Sequence, residues 1–321
     1  MTKEEYLAKI EEDEDWAPGW DAMPHMEAKD IERLVLRVKE NTKTECIKIK
    51  TKICDDPRLP LTRSKFGGHP YWPNNKPYPK AEHGIPLTML AQINLSELPE
   101  NDTFPNKGLL QFFIWNAANE KNYKVIYHED YSAPVSRYLF TSPKTSVADA
   151  IPNSCMPETV KITKASGEKV VIPNIFWGKD GFPVKGVLNL EFSKGYDFVN
   201  PTENCFEAEF VKAAKQLNIP IPDNFDVCTD LPDEIRDRFY EYGVGHKLLG
   251  RPYFIQCDYR EGDSENNILL FQMDSACSDS DEMDEAHNIV FGDSGIAGFF
   301  MTKEELRKLD FSHVYYEWEC M

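Results

Sequence analysis

One framework is written twice in this chain, and that repetition limits what the chain can fold into. Lys65-Phe-Gly-Gly-His-Pro-Tyr71 is matched by Lys247-Leu-Leu-Gly-Arg-Pro-Tyr253, 182 residues later. Met89-Leu-Ala-Gln-Ile-Asn94 is matched by Leu269-Leu-Phe-Gln-Met-Asp274 at an offset of 180, and Gly108-Leu-Leu-Gln-Phe-Phe-Ile114 by Gly295-Ile-Ala-Gly-Phe-Phe-Met301 at 187. Tyr123-Lys-Val-Ile-Tyr127 then meets Ser312-His-Val-Tyr-Tyr316 at 189. Four matches in one order, with offsets drifting by loop-sized steps, are the signature of an internal repeat. The two copies span about residues 60–130 and 245–320.

Each repeated piece has a physical reading. A glycine before X-Pro-Tyr, Gly68 and Gly250, marks a sharp turn or a backbone packed too closely for a Cβ. Period-two alternation puts Gln92 and Asn94 on one strand face, and likewise Gln272 and Asp274. The Gly-x-x-x-Phe-Phe runs read as second strands entered from a glycine turn. The expected fold is therefore α+β, internally duplicated, with largely antiparallel sheets packed with a few helices as pseudo-two-fold halves.

The remaining elements follow from local pattern. Residues 2–14 read as a short acidic helix with Thr2 and Glu5 at capping-box spacing. Trp16 and Trp20 sit in a turn-rich stretch and read as staples to the body. Residues 28–40 read as a helix, because Ile31, Leu34, Val35 and Val38 form one apolar stripe. Together these make an N-terminal helical segment, residues 1–44, ahead of a domain spanning 45–321. Cys46 to Ile53 alternates apolar and polar residues as a half-buried strand does, with Lys48, Lys50 and Lys52 as a guard on an edge. Residues 66–86 form an ordered Pro/Gly loop carrying Tyr71, Trp72 and Tyr78. Strands are expected at 87–94, 108–115, 123–128, 159–163, 168–172 and 186–192, and helices at 204–217 and 231–242.

Composition excludes several function classes. Of 321 residues, 36 are Lys or Arg and 54 are Asp or Glu, a net charge of −18. Concentrated cations drive binding to phosphate backbones and anionic leaflets, so neither nucleic acid nor a membrane surface is an expected partner. A basic protein partner is compatible with this charge. No run of eighteen apolar residues occurs, and the N-terminus is acidic with no apolar leader, so the expectation is a cytoplasmic protein. Eight cysteines make no Cys-x-x-Cys pair, which argues against a zinc ribbon and for reduced thiols. The usual phosphate-loop, dinucleotide, zinc-protease and serine-elbow motifs are absent, so no cofactor and no metal are expected.

The residues Ser64 to Tyr71, Pro86 to Asn94, Lys107 to Ile114, His246 to Tyr253, Phe291 to Phe300 and Leu309 to Cys320 together resemble the YwqG-like family, a bacterial domain-of-unknown-function family. The likeness spans about residues 45–320. Phe291 stands where a Trp is usual and Leu249 where a second Gly is common; neither change removes a chemical group. The family has no settled activity. Its members look cytoplasmic and some lie in toxin–immunity neighbourhoods, which implies a non-catalytic binding role, as an immunity-type or regulatory partner.

Candidate chemistry is sparse. Asp293, between Gly292 and Ser294-Gly295, could expose a carboxylate, though an Asp-capped turn is the simpler reading. The acidic run 278–287 lacks the glycine and glutamate of a calcium loop and reads as a solvated segment. His69, His83 and His246 flank the repeats and read as exposed rim. Lys65 and Lys247, kept in both copies, suit a pseudo-symmetric salt bridge. The alternative to a binding role is a small-ligand-binding protein or hydrolase-like enzyme, with a pocket between the repeats lined by Lys65, Gln92, Asn94, Lys247, Gln272, Asp274 and Asp293.

Overall fold

The computed structural model describes residues 28–54, 59–81, 86–115, 121–135, 159–163, 169–173, 182–184, 187–221, 233–240, 242–260, 268–275 and 289–320. Helix α1, Ala28–Thr42, forms where the apolar stripe places it. It buries Leu34, Val35 and Val38 against Phe206, Phe210, Ala213 and Ala214 of α2, Phe206–Leu217, and Phe239 of α3, Asp233–Tyr240. Thr42 closes α1 by donating to the Val38 carbonyl at 2.7 Å while accepting from the Val199 amide at 3.1 Å. The acidic helix expected at 2–14, the two tryptophans, His83, the 278–287 run and the first two residues of the helix expected at 231–242 all lie outside the described residues.

Ten strands make one antiparallel sheet. In chain order they are β1 Thr44–Ile53, β2 Lys65–Gly67, β3 Thr88–Asn94, β4 Leu109–Ile114, β5 Tyr123–His128, then β8 Val187–Asp197, β9 Lys247–Leu249, β10 Ile268–Asp274, β11 Ile296–Met301 and β12 Tyr315–Glu319. A separate hairpin pairs β6, Thr159–Thr163, with β7, Lys169–Pro173. The spatial order is β12-β11-β10-β9-β1-β8-β2-β3-β4-β5. The two longest strands, β1 and β8, pair over their full length at the centre. Strand β1 then accepts β9, and β8 accepts β2.

This topology corrects one expectation. β1 is not an edge strand but is paired on both sides, so its lysines guard no edge. Alternation still holds, with Cys46, Ile47, Ile49 and Thr51 buried and Lys48 and Lys50 exposed. The lysines cover β8 instead. Lys52 pairs with Glu191 at 2.6 Å, and the Lys48 stem lies over Gly195, where a Cβ would approach it to 2.9 Å.

The sheet curls until its two outer strands meet. Tyr123 of β5 donates its hydroxyl to the Val314 carbonyl at 2.8 Å, and its ring lies 5.4 Å from that of Tyr316 on β12. The result is a nearly closed, barrel-like sheet, its interior filled by side chains from both ends of the strand order. Phe112 of β4 touches Phe271 of β10 at 4.6 Å and Phe299 of β11 at 4.9 Å. Phe66 of β2 reaches Phe271 at 5.8 Å. Each such ring removes a large apolar area from water, and burial of this kind is the chief force closing the barrel.

One helix escaped the sequence reading. Lys303–Lys308, α4, opens on a capping box in which Thr302 and Glu305 satisfy each other's backbone amides. The Thr-x-x-Glu spacing is visible in the sequence. It was obscured because the preceding Phe-Phe-Met run reads as strand.

Candidate functional site

The outer face of the barrel carries the polar residues of the repeats, and the structure shows what holds each one. Gln92 is fully buried and uses its whole amide. Its Oε1 accepts from the Tyr71 amide at 2.8 Å and from Gln111 Nε2 at 2.8 Å, and its Nε2 donates to the Leu61 carbonyl at 2.7 Å and the Arg63 carbonyl at 2.8 Å. Gln272 does the same work in the second half. It accepts from the Tyr253 amide at 2.9 Å and donates to the Gly243 carbonyl at 2.7 Å and the Gly245 carbonyl at 2.9 Å. Lys65 donates to the Leu61 carbonyl at 3.0 Å, and Lys247 to the Gly243 carbonyl, each four residues back. The Asn94 amide donates to Ser64 Oγ at 2.8 Å; the Asp274 amide donates to His246 Nδ1 at 3.0 Å.

Six of the seven pocket candidates are therefore gathered into two separate clusters that anchor backbone, one per half. Asp293 lies apart, exposed in the Phe291–Gly295 turn. None of the seven lines the large cleft described below. The contact common to Lys65 and Lys247 among the described residues is a carbonyl four residues back. Lys247 adds a buried ion pair with Asp197 of β8 at 2.8 Å and a bond to the Arg251 carbonyl. Burial draws its ammonium below the ordinary lysine range, with Asp197 opposing. His246 is buried, 5.3 Å edge-on to Phe66, and is not a rim residue; His69 is half-buried. The His246 ring is held there because its Nδ1 accepts from the Asp274 amide at the end of β10.

The glycines explain themselves at this point. Gly250 has φ +81°, and a Cβ on it would lie 2.2 Å from Asp197 Oδ2 and 2.6 Å from the Cys46 Cβ. Gly68 has φ +72° and would strike Val187. Leu249 takes φ +60° where Gly67 takes +66°, a left-handed conformation that costs a branched side chain about 1 kcal/mol.

His128 completes the first cluster. Its Nε2 lies 2.9 Å from Gln111 Oε1, and the Tyr71 and Trp72 rings pack on it at 5.4 Å. Burial lowers its pKa from 6.5 to about 4, helped by Lys76. The neutral ring is thus the native one. The unfolded chain takes up a proton near pH 6.5 while the folded chain does not until about pH 4. Stability from this group is complete above about pH 6.5 and falls as pH drops toward 4, by about 3 kcal/mol at about 1.4 kcal/mol per pH unit. Denaturant melts of the wild type and His128→Gln between pH 7 and pH 4 should show the wild type losing that much relative to the variant. A pH-independent difference would contradict the assignment.

A cleft of about 970 Å³ sits beside the second cluster. Its floor is apolar, with Leu249, Pro252, Ile268 and Leu306. On one wall, Glu203 lies between two guanidinium groups, accepting from Arg251 Nε at 2.9 Å and Arg260 Nη2 at 3.5 Å. Arg260 also forms a fork with Asp258, at 2.7 and 2.6 Å, and stands over the Phe254 ring at 5.2 Å. Burial pushes the Glu203 carboxyl above the ordinary range, with both arginines opposing. Arg251 Nη2 also reaches Cys205 Sγ at 3.0 Å; burial, then Glu203, raises that thiol, with both arginines opposing. On the other walls, Lys303 and Arg307 of α4 are exposed, as are Glu45 and Asp102. Sequence reading missed this site because, Arg251 apart, its charges lie outside the repeat matches; only α4 left a usable signal.

An α+β domain built on one curled antiparallel sheet, with buried polar anchors and an open cleft of paired charges, is the class of protein this geometry defines. A family profile described as a domain of unknown function, DUF1963, matches residues 64–320. The chain belongs to that family. No curated protein matches the chain. No helix among the described residues is long and apolar enough to cross a membrane.

Proposed function

We propose that this protein is a cytoplasmic, YwqG-like binding protein, non-catalytic, whose partner seats in the cleft beside Arg251 and α4. One observation carries the reading. The polar side chains that could do chemistry are consumed in holding backbone or in neutralising one another, while Lys303 and Arg307 stand exposed at the cleft and enter no ion pair among the described residues. A surface of this kind binds and orients rather than transfers protons. Glu45 and Asp102 on the facing walls suit a partner segment carrying basic as well as acidic groups, in keeping with a net charge of −18.

We further infer that the two halves arose by duplication. In support, the same bonds recur at a shift of 182 residues: Leu61, Arg63 and Tyr71 in one half, Gly243, Gly245 and Tyr253 in the other. The small outer clusters also correspond, Trp72, Met89 and Phe113 with Phe254, Leu269 and Phe300. Strands β1 and β8, which lie outside the two copies, join them, since β1 pairs with β8 and with β9, and β8 with β2. Duplication thus left one interlocked domain rather than two.

Affinity capture from native cytoplasm, comparing wild type with the Lys303→Glu/Arg307→Glu variant, tests the binding role. The expected result is a protein retained by the wild type and released by the variant. A small metabolite co-purifying and being turned over, with no protein retained, would overturn it.

A further inference from the structure

The strap 253–260 walls the cleft with Asp258 and Arg260 and covers a second cavity with Gln256 and Tyr259. That cavity, about 440 Å³, is bounded by Glu317 and Glu319 of β12 and by Tyr315. Residues 315, 317 and 319 share the outward face of the strand, since Tyr316 points into the barrel core. Glu319 is 4% exposed. Its Oε2 accepts from the Ile255 and Gln256 amides, but its Oε1 is buried with no hydrogen-bond partner. A carboxylate oxygen so placed is costly unless a cation or donor comes to it.

The cause of this gap lies in the sheet register. Strand β11 puts Gly298 opposite both Gln272 and Glu317. The same lattice position in the first half is Gln111, opposite Gln92 and Ile126. Gln111 there bridges Gln92, the Tyr71 carbonyl and His128. The neighbouring position holds His128 in one half and Glu319 in the other, opposite Leu109 and Ile296. The second half has glycine at the amide's position, with the Phe300 ring lying over it, and a carboxylate at the position of His128, so no side-chain amide reaches Glu319 Oε1. Tyr259 and Tyr315 are 49% and 39% exposed, large rings left open to solvent at the mouth.

We propose that this cavity binds an organic cation, a guanidinium or alkylammonium group, with Glu319 Oε1 as its principal acceptor, Glu317 as second carboxylate and the two tyrosine rings flanking its stem. The donor set argues for an organic cation over a coordinated metal, because no three His, Cys, Asp or Glu side chains among the described residues cluster to hold one. Carboxylates with aromatic rings are the usual recognition set for such cations. The cation can come from a free amine or from an arginine of a protein partner. The site is separate from the cleft, so either reading can fail alone.

Calorimetric titration of the full chain with agmatine and with a Gly-Arg-Gly peptide decides it. Saturable binding with a dissociation constant on the order of 1 mM or tighter is expected. Glu319→Gln, which keeps an oxygen for the Ile255 and Gln256 amides, should weaken it by roughly tenfold. Glu317→Gln, tested alongside in case the first variant folds poorly, should weaken it by a smaller factor. Glu304→Gln, exposed on α4, should bind as the wild type does. Tighter binding of the peptide assigns the site to a partner's arginine, and tighter or equal binding of agmatine to a free amine. No saturable binding of either compound, or unaltered binding in both folded site variants, would overturn the proposal.

Discussion

Replacing Lys247 with methionine is expected to lower the unfolding free energy by about 3–5 kcal/mol. The ammonium is 1% exposed and gives its protons to Asp197 Oδ2 and to the Gly243 and Arg251 carbonyls. Methionine fills a similar length but leaves the Asp197 carboxylate buried without its cation, with the Arg251 amide at 3.1 Å and the Cys46 thiol still donating to it. The penalty comes from that stranded charge more than from the lost attraction. Replacing both partners, Lys247→Met with Asp197→Leu, should accordingly recover a large part of the loss. Urea denaturation at pH 7 measures both. A single-variant loss below about 1 kcal/mol would show that the pair is not buried in the way described.

Gln92→Leu is the second large effect, also about 3–5 kcal/mol by urea denaturation. The substitution keeps the bulk and removes four hydrogen bonds at once. The Tyr71 amide loses its acceptor and Gln111 Nε2 one of two, while the Arg63 carbonyl loses its donor and the Leu61 carbonyl is left with Lys65. Gln272→Leu removes three bonds and should cost somewhat less. A Gln92→Leu loss of about 1 kcal/mol or under would mean that water replaces the amide freely, against its burial.

Much of the fold was legible because it rests on local pattern. The stripe Leu34, Val35 and Val38 specified α1, and strict alternation from Cys46 to Ile53 specified β1. The Gln-x-Asn and Phe-Phe runs specified the strands that build each half. What alternation cannot reveal is which strand lies beside which. β1 was legible as a strand and not as the centre of the sheet, because its neighbours β8 and β9 lie far along the chain and its exposed lysines look alike on an edge or on a barrel exterior.

The site was legible in a different degree. Lys65, Gln92, Asn94 and their counterparts stood out because the repeat kept them, yet retention serves backbone anchoring as well as chemistry. Sequence does not distinguish these, since a buried glutamine and a ligand-binding glutamine carry the same amide. The cleft stayed hidden because Glu203, Arg251, Asp258 and Arg260 pair through tertiary folding of loops without periodicity. Glu319 left no signal of its own in the sequence, since its burial comes from the strap that folds onto it through the Ile255 and Gln256 amides.

Each buried glutamine anchors the Gly-X-Pro-Tyr turn of its own half. Amide hydrogen exchange at Tyr71 and Tyr253, followed by NMR in the wild type and in Gln92→Leu, tests it most directly. Both amides should exchange slowly in the wild type. In Gln92→Leu, under conditions where the chain stays folded, Tyr71 should lose its protection and Tyr253 should keep it. Rapid exchange of both amides in the native protein, or a Tyr71 amide indifferent to the substitution, would contradict the claim.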